Sequence, residues 1–167
     1  FYMGDNGYAG ENEPGPGEGN RIPACVNASC ETLRSVDLSG NGFSREEMNA
    51  MLGNCSQLTY LDVSDNPDLG SLDILASGDL LETLYAKNCG LTSLEGMENF
   101  RSLKEIDLSE NVLNSLAGFP ELDPETKIFL ELDSNQLTGL EGLDPAVSYR
   151  ALLLYDNPFD GGNLGHE

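Results

Sequence analysis

Apolar residues recur along this chain in one fixed frame, which is most complete between Leu103 and Leu116. That stretch follows the pattern LxxLxLxxNxLxxL, with Asn111 set among the leucines and one isoleucine of the frame. The frame returns along the chain with an asparagine or a cysteine at the same place, at Asn41, Asn66, Cys89, Asn111, Asn135 and Asn157. Successive anchors are 25, 23, 22, 24 and 22 residues apart. A period of this length is typical of repeat architectures, so the sequence predicts six copies of one structural unit.

The alternation within the unit predicts a short β-strand. Ile106 and Leu108 would point inward and Asp107 outward, because neighbouring residues of a strand face opposite sides. One such strand cannot bury its apolar side alone, whereas stacked copies form a parallel sheet over a continuous core. The chain must then turn inside that core, and a buried asparagine amide can bond the backbone groups of the turn. The predicted fold is therefore an α/β solenoid with an asparagine or cysteine ladder.

The frame resembles the leucine-rich repeat family, whose consensus is LxxLxLxxN/CxL, from near Cys30 to Phe159. The later apolar residues of the shorter copies are similar to those of internalin-like bacterial repeats; here they are Met97, Phe100, Phe119 and Leu122. The resemblance implies a curved, right-handed coil with the sheet on its concave face and short helical or 3-10 turns on its convex face. It also implies a secreted or cell-surface protein that binds other proteins.

Four segments follow from this frame. Residues 1–20 form an acidic lead-in rich in glycine and proline, predicted to be flexible, and residues 21–32 are placed where an N-terminal cap must cover the first repeat. The six repeats occupy 33–159, and 160–167 form a C-terminal tail. The lead-in is similar to the tether of Gram-negative surface lipoproteins, although the lipidated cysteine would belong to residues that are not in this chain.

One true helix is predicted, after the first strand. Ser44 and Glu47 have the spacing of a capping box, and Phe43 can pack against Met48 as a hydrophobic staple. The apolar residues that follow recur at helical spacing. The convex side of the first repeat should therefore be an α-helix.

The cysteines allow two pairings near the N-terminus. Cys30 and Cys55 each lie three residues before the first leucine of a repeat, so stacking would bring them within reach of a disulfide. Cys25 and Cys30 are also close enough along the chain to be bridged. With Cys89 in the ladder, either choice leaves one of the other three thiols unpaired.

The net charge of the chain limits the kinds of molecule that it is expected to bind. The 167 residues contain 29 acids and 8 bases, for a formal charge of −21. Such a surface repels nucleic acid and anionic lipid and favours basic proteins or cations, although a solvated acidic surface without a ligand is the alternative. No apolar run approaches 18 residues, so no transmembrane segment is expected.

The sequence contains no motif that is typical of catalysis, phosphate binding or zinc binding. The single histidine, His166, stands in a glycine-rich tail, and no catalytic constellation, phosphate-binding loop or CxxC pair accompanies it. The expectation is a protein that is not an enzyme and needs no cofactor. The alternative is a structural or spacer protein that binds calcium on a column of acidic side chains.

The outward strand positions supply the candidate binding residues. Acids occupy most of the central column, and aromatic residues that are not part of the repeat consensus interrupt or flank it. The predicted ligand-binding residues are Asp37, Tyr60, Asp62, Tyr85, Asp107, Phe129, Glu131 and Tyr155. Exposed aromatics beside charge are typical of interface hot spots. The sequence therefore predicts a binding module that contacts a protein or peptide with a basic surface through the concave face; stacking on a sugar ring is a lesser alternative.

Overall fold

The computed structural model describes residues 26 and 28–159. The predicted lead-in (1–20), Cys25, and the tail with His166 (160–167) lie outside the described residues. The described residues include an eight-residue helix and one parallel sheet of six strands in chain order. These elements are β1 (Ser35–Asp37), α1 (Arg45–Leu52), β2 (Tyr60–Asp62), β3 (Thr83–Tyr85), β4 (Glu105–Asp107), β5 (Lys127–Glu131) and β6 (Ser148–Leu153). Each strand pairs in parallel with the next, which confirms the predicted solenoid.

The core lies directly behind the sheet. The inward residue of each of the first five strands has no exposed surface; these residues are Val36, Leu61, Leu84, Ile106 and Leu130. The second leucine-type position of each repeat continues the row with Leu38, Val63, Ala86, Leu108 and Leu132, which are equally buried. In the sixth repeat the matching Leu152 and Leu154 are only partly buried.

Asn111 shows how the ladder joins neighbouring repeats. Its Nδ2 donates to the carbonyls of Leu108 at 3.0 Å and Ser109 at 3.1 Å, which end its own strand. The same Nδ2 donates to the Ala86 carbonyl of the preceding repeat at 2.8 Å. Its Oδ1 accepts from the N–H groups of Cys89 and Leu91, each at 3.0 Å. One buried amide thus satisfies five backbone groups that water cannot reach.

The other asparagines of the ladder repeat this arrangement. In each, Nδ2 donates to carbonyls of its own turn and of the preceding repeat, and Oδ1 accepts an N–H from the preceding repeat, in Asn66, Asn135 and Asn157. Asn41 begins the ladder and donates to Leu38 and Ser39. The ladder is therefore a continuous bridge between turns.

Cys89 occupies the ladder position of the third repeat with a thiol instead of an amide. Its Sγ lies 3.1 Å from the Val63 carbonyl and can donate there, but a thiol is a weak acceptor. The preceding turn contains Pro67, and it closes differently, with the Gly70 N–H donating to the Cys89 carbonyl at 2.9 Å. The thiol therefore keeps the donor role of the ladder position and lacks the amide acceptor.

The convex side combines one helix with short turns. Ser44 and Glu47 form the predicted capping box of α1, and the helix buries Met48, Met51 and Leu52. Later repeats return through single turns closed by hydrogen bonds between residues three apart, such as Met97 N–H to Leu94 O at 3.1 Å. These turns have the 3-10 bonding pattern without the length of a helix.

The turns fit closely against each other. At Gly142 φ is 113°, and a Cβ added there would lie 2.4 Å from the carbonyl oxygen of Leu116 in the preceding repeat. Both the conformation and the close approach require glycine at this point.

The N-terminal end of the solenoid is closed by a disulfide between Cys30 and Cys55, whose Cα atoms are 4.2 Å apart. Of the two pairings that the sequence allows, the structure contains the one that joins the cap segment to the first repeat. Cys89 is a free, buried thiol, and burial raises its pKa to about 12.

The last two strands depart from the regular frame. Lys127 stands where the frame has a leucine and is exposed, while the next residue, Ile128, is fully buried in its place. Ile128 aligns with Tyr149, but Phe129 aligns with Ala151, so Arg150 is an extra residue in β6. This irregularity is a β-bulge, which changes the direction of the side chain that it carries.

Candidate binding face

The strand registers align the outward residues in two columns. The central column is Asp37, Asp62, Tyr85, Asp107, Glu131 and Leu153, and the column beside it is Ser35, Tyr60, Thr83, Glu105, Phe129 and Ala151. We call these twelve residues the sheet face. It is the surface that the repeat resemblance predicts to be concave.

The aspartates of the central column share one local geometry. In each, Oδ1 accepts the N–H of the serine two residues further on, at 2.8–3.0 Å, in Asp37, Asp62 and Asp107. This short loop follows the strand and holds the carboxylate at the end of the strand. Because neighbouring strands are in register, Asp37 lies beside Asp62 and Asp107 beside Glu131, with Tyr85 between the two pairs.

Burial and mutual repulsion raise the pKa of two of these acids. For Asp62 the main cause is partial burial, to which the charges of Asp37 and Asp107 add, while hydrogen bonds from Ser64 act in the opposite direction. For Glu131 the causes are again burial first and then the charge of Asp107. The folded protein therefore holds these carboxylates in surroundings that favour a proton or another cation.

Three aromatic residues lie among the acids. The rings of Tyr60 and Tyr85 meet edge to face, with centroids 5.7 Å apart and planes at 87°. The Tyr85 hydroxyl donates a short hydrogen bond to Glu105, and this bond is the main reason why the pKa of Tyr85 is raised. The hydrogen bond to Glu105 and the contact with Tyr60 together hold the Tyr85 ring in place.

Phe129 is covered by a cation. The guanidinium carbon of Arg150 lies 5.4 Å from the centre of the Phe129 ring, within the range of a cation–π contact. The same guanidinium lies 3.8 Å from Glu105, two strands away. The extra residue of β6 therefore reaches across the sheet face.

A cavity of about 310 Å³ lies in the middle of the sheet face, and it is lined by Asp62, Ser64, Tyr85, Glu105, Asp107, Phe129 and Glu131. Five of the eight predicted binding residues line it. The other three lie outside the cavity. Tyr60 packs against Tyr85, which lines it, and Asp37 is aligned with Asp62 on the neighbouring strand. Tyr155 follows β6 at the far end of the sheet and is 81% exposed. The predicted residues thus form a central group of five, with three further members outside the cavity.

Three residues of this site were missing from the predicted set. Ser64, which lines the cavity, lies two residues after the central-column position of its repeat. Glu105 belongs to an outward column of the repeat frame, so its position could be read from the sequence, but its bond to Tyr85 could not. Arg150 directly precedes the outward residue Ala151, a frame position that Lys104 also occupies in its repeat. The shifted pairing of β5 with β6 and the contact with Phe129 could not be read from a regular frame.

Within 28–159 and at residue 26, no group of three or more histidine, cysteine or acidic side chains is placed to hold a metal ion. Over the same range there is no helix with the length and apolar character needed to cross a membrane. His166 lies outside this range.

Comparison with known proteins gives a family match and several relatives. The leucine-rich repeat model matches residues 29–46. The chain is 33% identical over 163 residues to the mouse transforming growth factor beta activator LRRC32, covering 89% of this chain and 22% of that protein. It is 27% identical over 112 residues to acidic leucine-rich nuclear phosphoprotein 32 family member A of Drosophila melanogaster, covering 67% of this chain and 42% of that protein.

A third relative, an uncharacterized leucine-rich repeat-containing protein of Schizosaccharomyces pombe, is 34% identical over 102 residues, which cover 60% of this chain and 16% of that protein. The repeat frame, the parallel solenoid and these matches agree, and the chain belongs to the leucine-rich repeat family. It spans less than half the length of each of these relatives. They come from a mammal, an insect and a yeast, so the bacterial origin and the lipid anchor stay predictions.

Proposed function

We propose that this chain is a non-enzymatic binding module that holds a protein or peptide against its sheet face. The observation that carries the proposal is the cavity of about 310 Å³, which combines four carboxylates with the rings of Tyr85 and Phe129. Membership of the leucine-rich repeat family supports a binding role in general.

The chemistry of the site favours a partner with a basic and partly apolar surface. Two adjacent carboxylates about 5 Å apart in water repel each other by roughly 1 kcal/mol, and a cation placed between them relieves that cost. Aromatic rings add contact area and orientation, which charge alone does not supply. The expected interaction is electrostatically assisted and weakens as salt rises.

Binding is tested by capturing partners from an extract and comparing the chain with the Tyr60→Ala, Tyr85→Ala, Phe129→Ala triple variant. A protein captured through the sheet face is lost from the triple variant. Its association rate, measured by a biosensor, should fall when Asp62→Lys and Asp107→Lys are combined, with a smaller change in the dissociation rate.

The matched control is Glu98→Lys combined with Glu121→Lys, which makes the same change of charge at exposed residues outside the sheet. The control should slow association much less than the variant on the sheet face. Equal effects of the two charge changes, or a partner that the triple variant still captures, would contradict the proposal.

An extracellular or cell-surface location is the second part of the proposal. Disulfides persist in oxidising compartments, and the Cys30–Cys55 bond supports such a location. Since it closes a span of 25 residues, the chain-entropy model gives it about 3.5 kcal/mol of stabilisation. The relatives do not decide the compartment, because one of their names describes a nuclear protein.

Peptide mapping of the unreduced protein, purified from its native source, tests this location. The expected result is a linked peptide that contains Cys30 and Cys55, with the Cys89 peptide unmodified by a disulfide. Recovery of a Cys25–Cys30 linked peptide, or of all cysteines as thiols, would show that this bond is not present in the cell.

A further inference from the structure

The sheet face contains a guanidinium of its own, and its position indicates what the central cavity binds. Arg150 is the extra residue of the β6 bulge. It lies over the Phe129 ring at 5.4 Å and near Glu105 at 3.8 Å, and both of these residues line the cavity.

The contacts of Arg150 are weak ones. Its side chain is 59% exposed and that of Glu105 is 40% exposed, so water screens the ion pair. Exposed ion pairs and cation–π contacts contribute little to stability. Arg150 can therefore leave the ring and the carboxylate at small cost.

The rest of the cavity suits a second guanidinium better than it suits Arg150. Asp107 and Glu131 are directly aligned on β4 and β5, and both line the cavity. Among the described residues, the Glu131 carboxylate has no hydrogen bond or ion pair. A planar cation lying on an aromatic ring with carboxylates at its edge is the arrangement that arginine forms and that lysine, a compact point charge, does not reproduce.

We propose that the cavity is a binding site for an arginine side chain of the partner, and that Arg150 is an internal competitor for it. The proposal rests on the proposed binding function and specifies the chemistry of the partner. The incoming guanidinium stacks on Phe129 and pairs with Asp107 and Glu131, and Arg150 moves aside.

Three synthetic peptides of one sequence test this site, with a single central arginine, lysine or citrulline between neutral residues. Citrulline has nearly the shape of arginine but carries no charge. Calorimetry or a biosensor at low salt should show the arginine peptide binding at least about fivefold more tightly than the lysine peptide and tenfold more tightly than the citrulline peptide. Phe129→Ala and Glu131→Gln should each remove most of this preference.

Arg150→Ser tests the competition. Removing the internal guanidinium should tighten binding of the arginine peptide two- to fivefold. The control is Arg101→Ser, which makes the same change of charge at an exposed residue outside the strands and should leave binding nearly unchanged. Weaker or unchanged binding to the Arg150→Ser protein would overturn the role of Arg150.

Equal affinity for arginine and citrulline peptides, or no binding of either, would overturn the arginine site. Such a result would refute the arginine site without refuting the proposed binding function. A partner captured through Tyr60, Tyr85 and Phe129 can still bind a chain that shows no preference for arginine, whereas a partner that ignores these residues refutes the broader proposal as well.

Discussion

Replacing Asn111 by alanine removes five hydrogen bonds at one buried point of the ladder, and the structure allows the loss to be counted group by group. The N–H groups of Cys89 and Leu91 lose their acceptor, and the carbonyl of Ala86 loses its donor. All three belong to the repeat that precedes Asn111, in a part of the chain where the side chains are buried.

Two other carbonyls are less affected. The Leu108 carbonyl keeps the Nδ2 of Asn135 at 2.9 Å, and the Ser109 carbonyl keeps the Asn88 N–H at 3.0 Å. Three buried groups are therefore left without a bond, at a cost of about 1 kcal/mol or more each. The expected loss is about 3 kcal/mol or more, a large share of the 5–15 kcal/mol that is typical of a folded domain.

Urea denaturation followed by far-ultraviolet circular dichroism measures this loss as a shift of the midpoint. The control is Asn114→Ala, an exposed residue of the same repeat, which should cost under about 0.5 kcal/mol. Asn111→Cys should lie between the two, because a thiol can still donate, as Cys89 does, but accepts poorly. Equal midpoints for Asn111→Ala and Asn114→Ala would refute the ladder as the source of stability.

Three further predictions concern pH, thiol chemistry and a tight turn. Folding raises the pKa of Asp62 and Glu131 above their ordinary values of 3.8 and 4.5. Because the folded state then binds protons more readily than the unfolded state, the free energy of unfolding should rise as the pH falls from 7 toward those values. Thermal melts at a series of pH values should show this rise, and combining Asp62→Asn with Glu131→Gln should reduce it; an unchanged slope would contradict the assignment. Cys89, with its pKa raised to about 12 by burial, should react with a thiol reagent at neutral pH only after urea unfolds the chain, and rapid modification of the native protein would refute this. Gly142→Ala should lower the free energy of unfolding by more than about 2 kcal/mol, because it adds a clash with Leu116 to the backbone strain. The control is Gly70→Ala, where φ is +69 and no atom lies within 4 Å, so only the backbone strain of about 1–2 kcal/mol is expected. Similar urea midpoints for the two variants would show that the contact with the preceding repeat does not matter.

The sequence by itself determined the repeat, the ladder and the core. Ile106 and Leu108 face inward because a strand alternates its side chains, and that rule needs no knowledge of the partner strands. Asn111 lies where a buried turn must satisfy its backbone groups, a requirement that every copy repeats. The outward columns, Tyr85 beside Asp107 among them, follow from the same frame, because stacking copies in register aligns equal positions.

Only the tertiary structure decided how the outward residues meet. The short bond from Tyr85 to Glu105 and the stacking of Arg150 on Phe129 join different repeats, and the choice of Cys55 as the partner of Cys30 joins the cap segment to the first repeat. The bulge that turns Arg150 onto the sheet face results from how β6 pairs with β5, where one strand has a residue more than its neighbour. A repeat frame describes each copy as though all were equal, so it cannot show the points where two neighbouring copies differ.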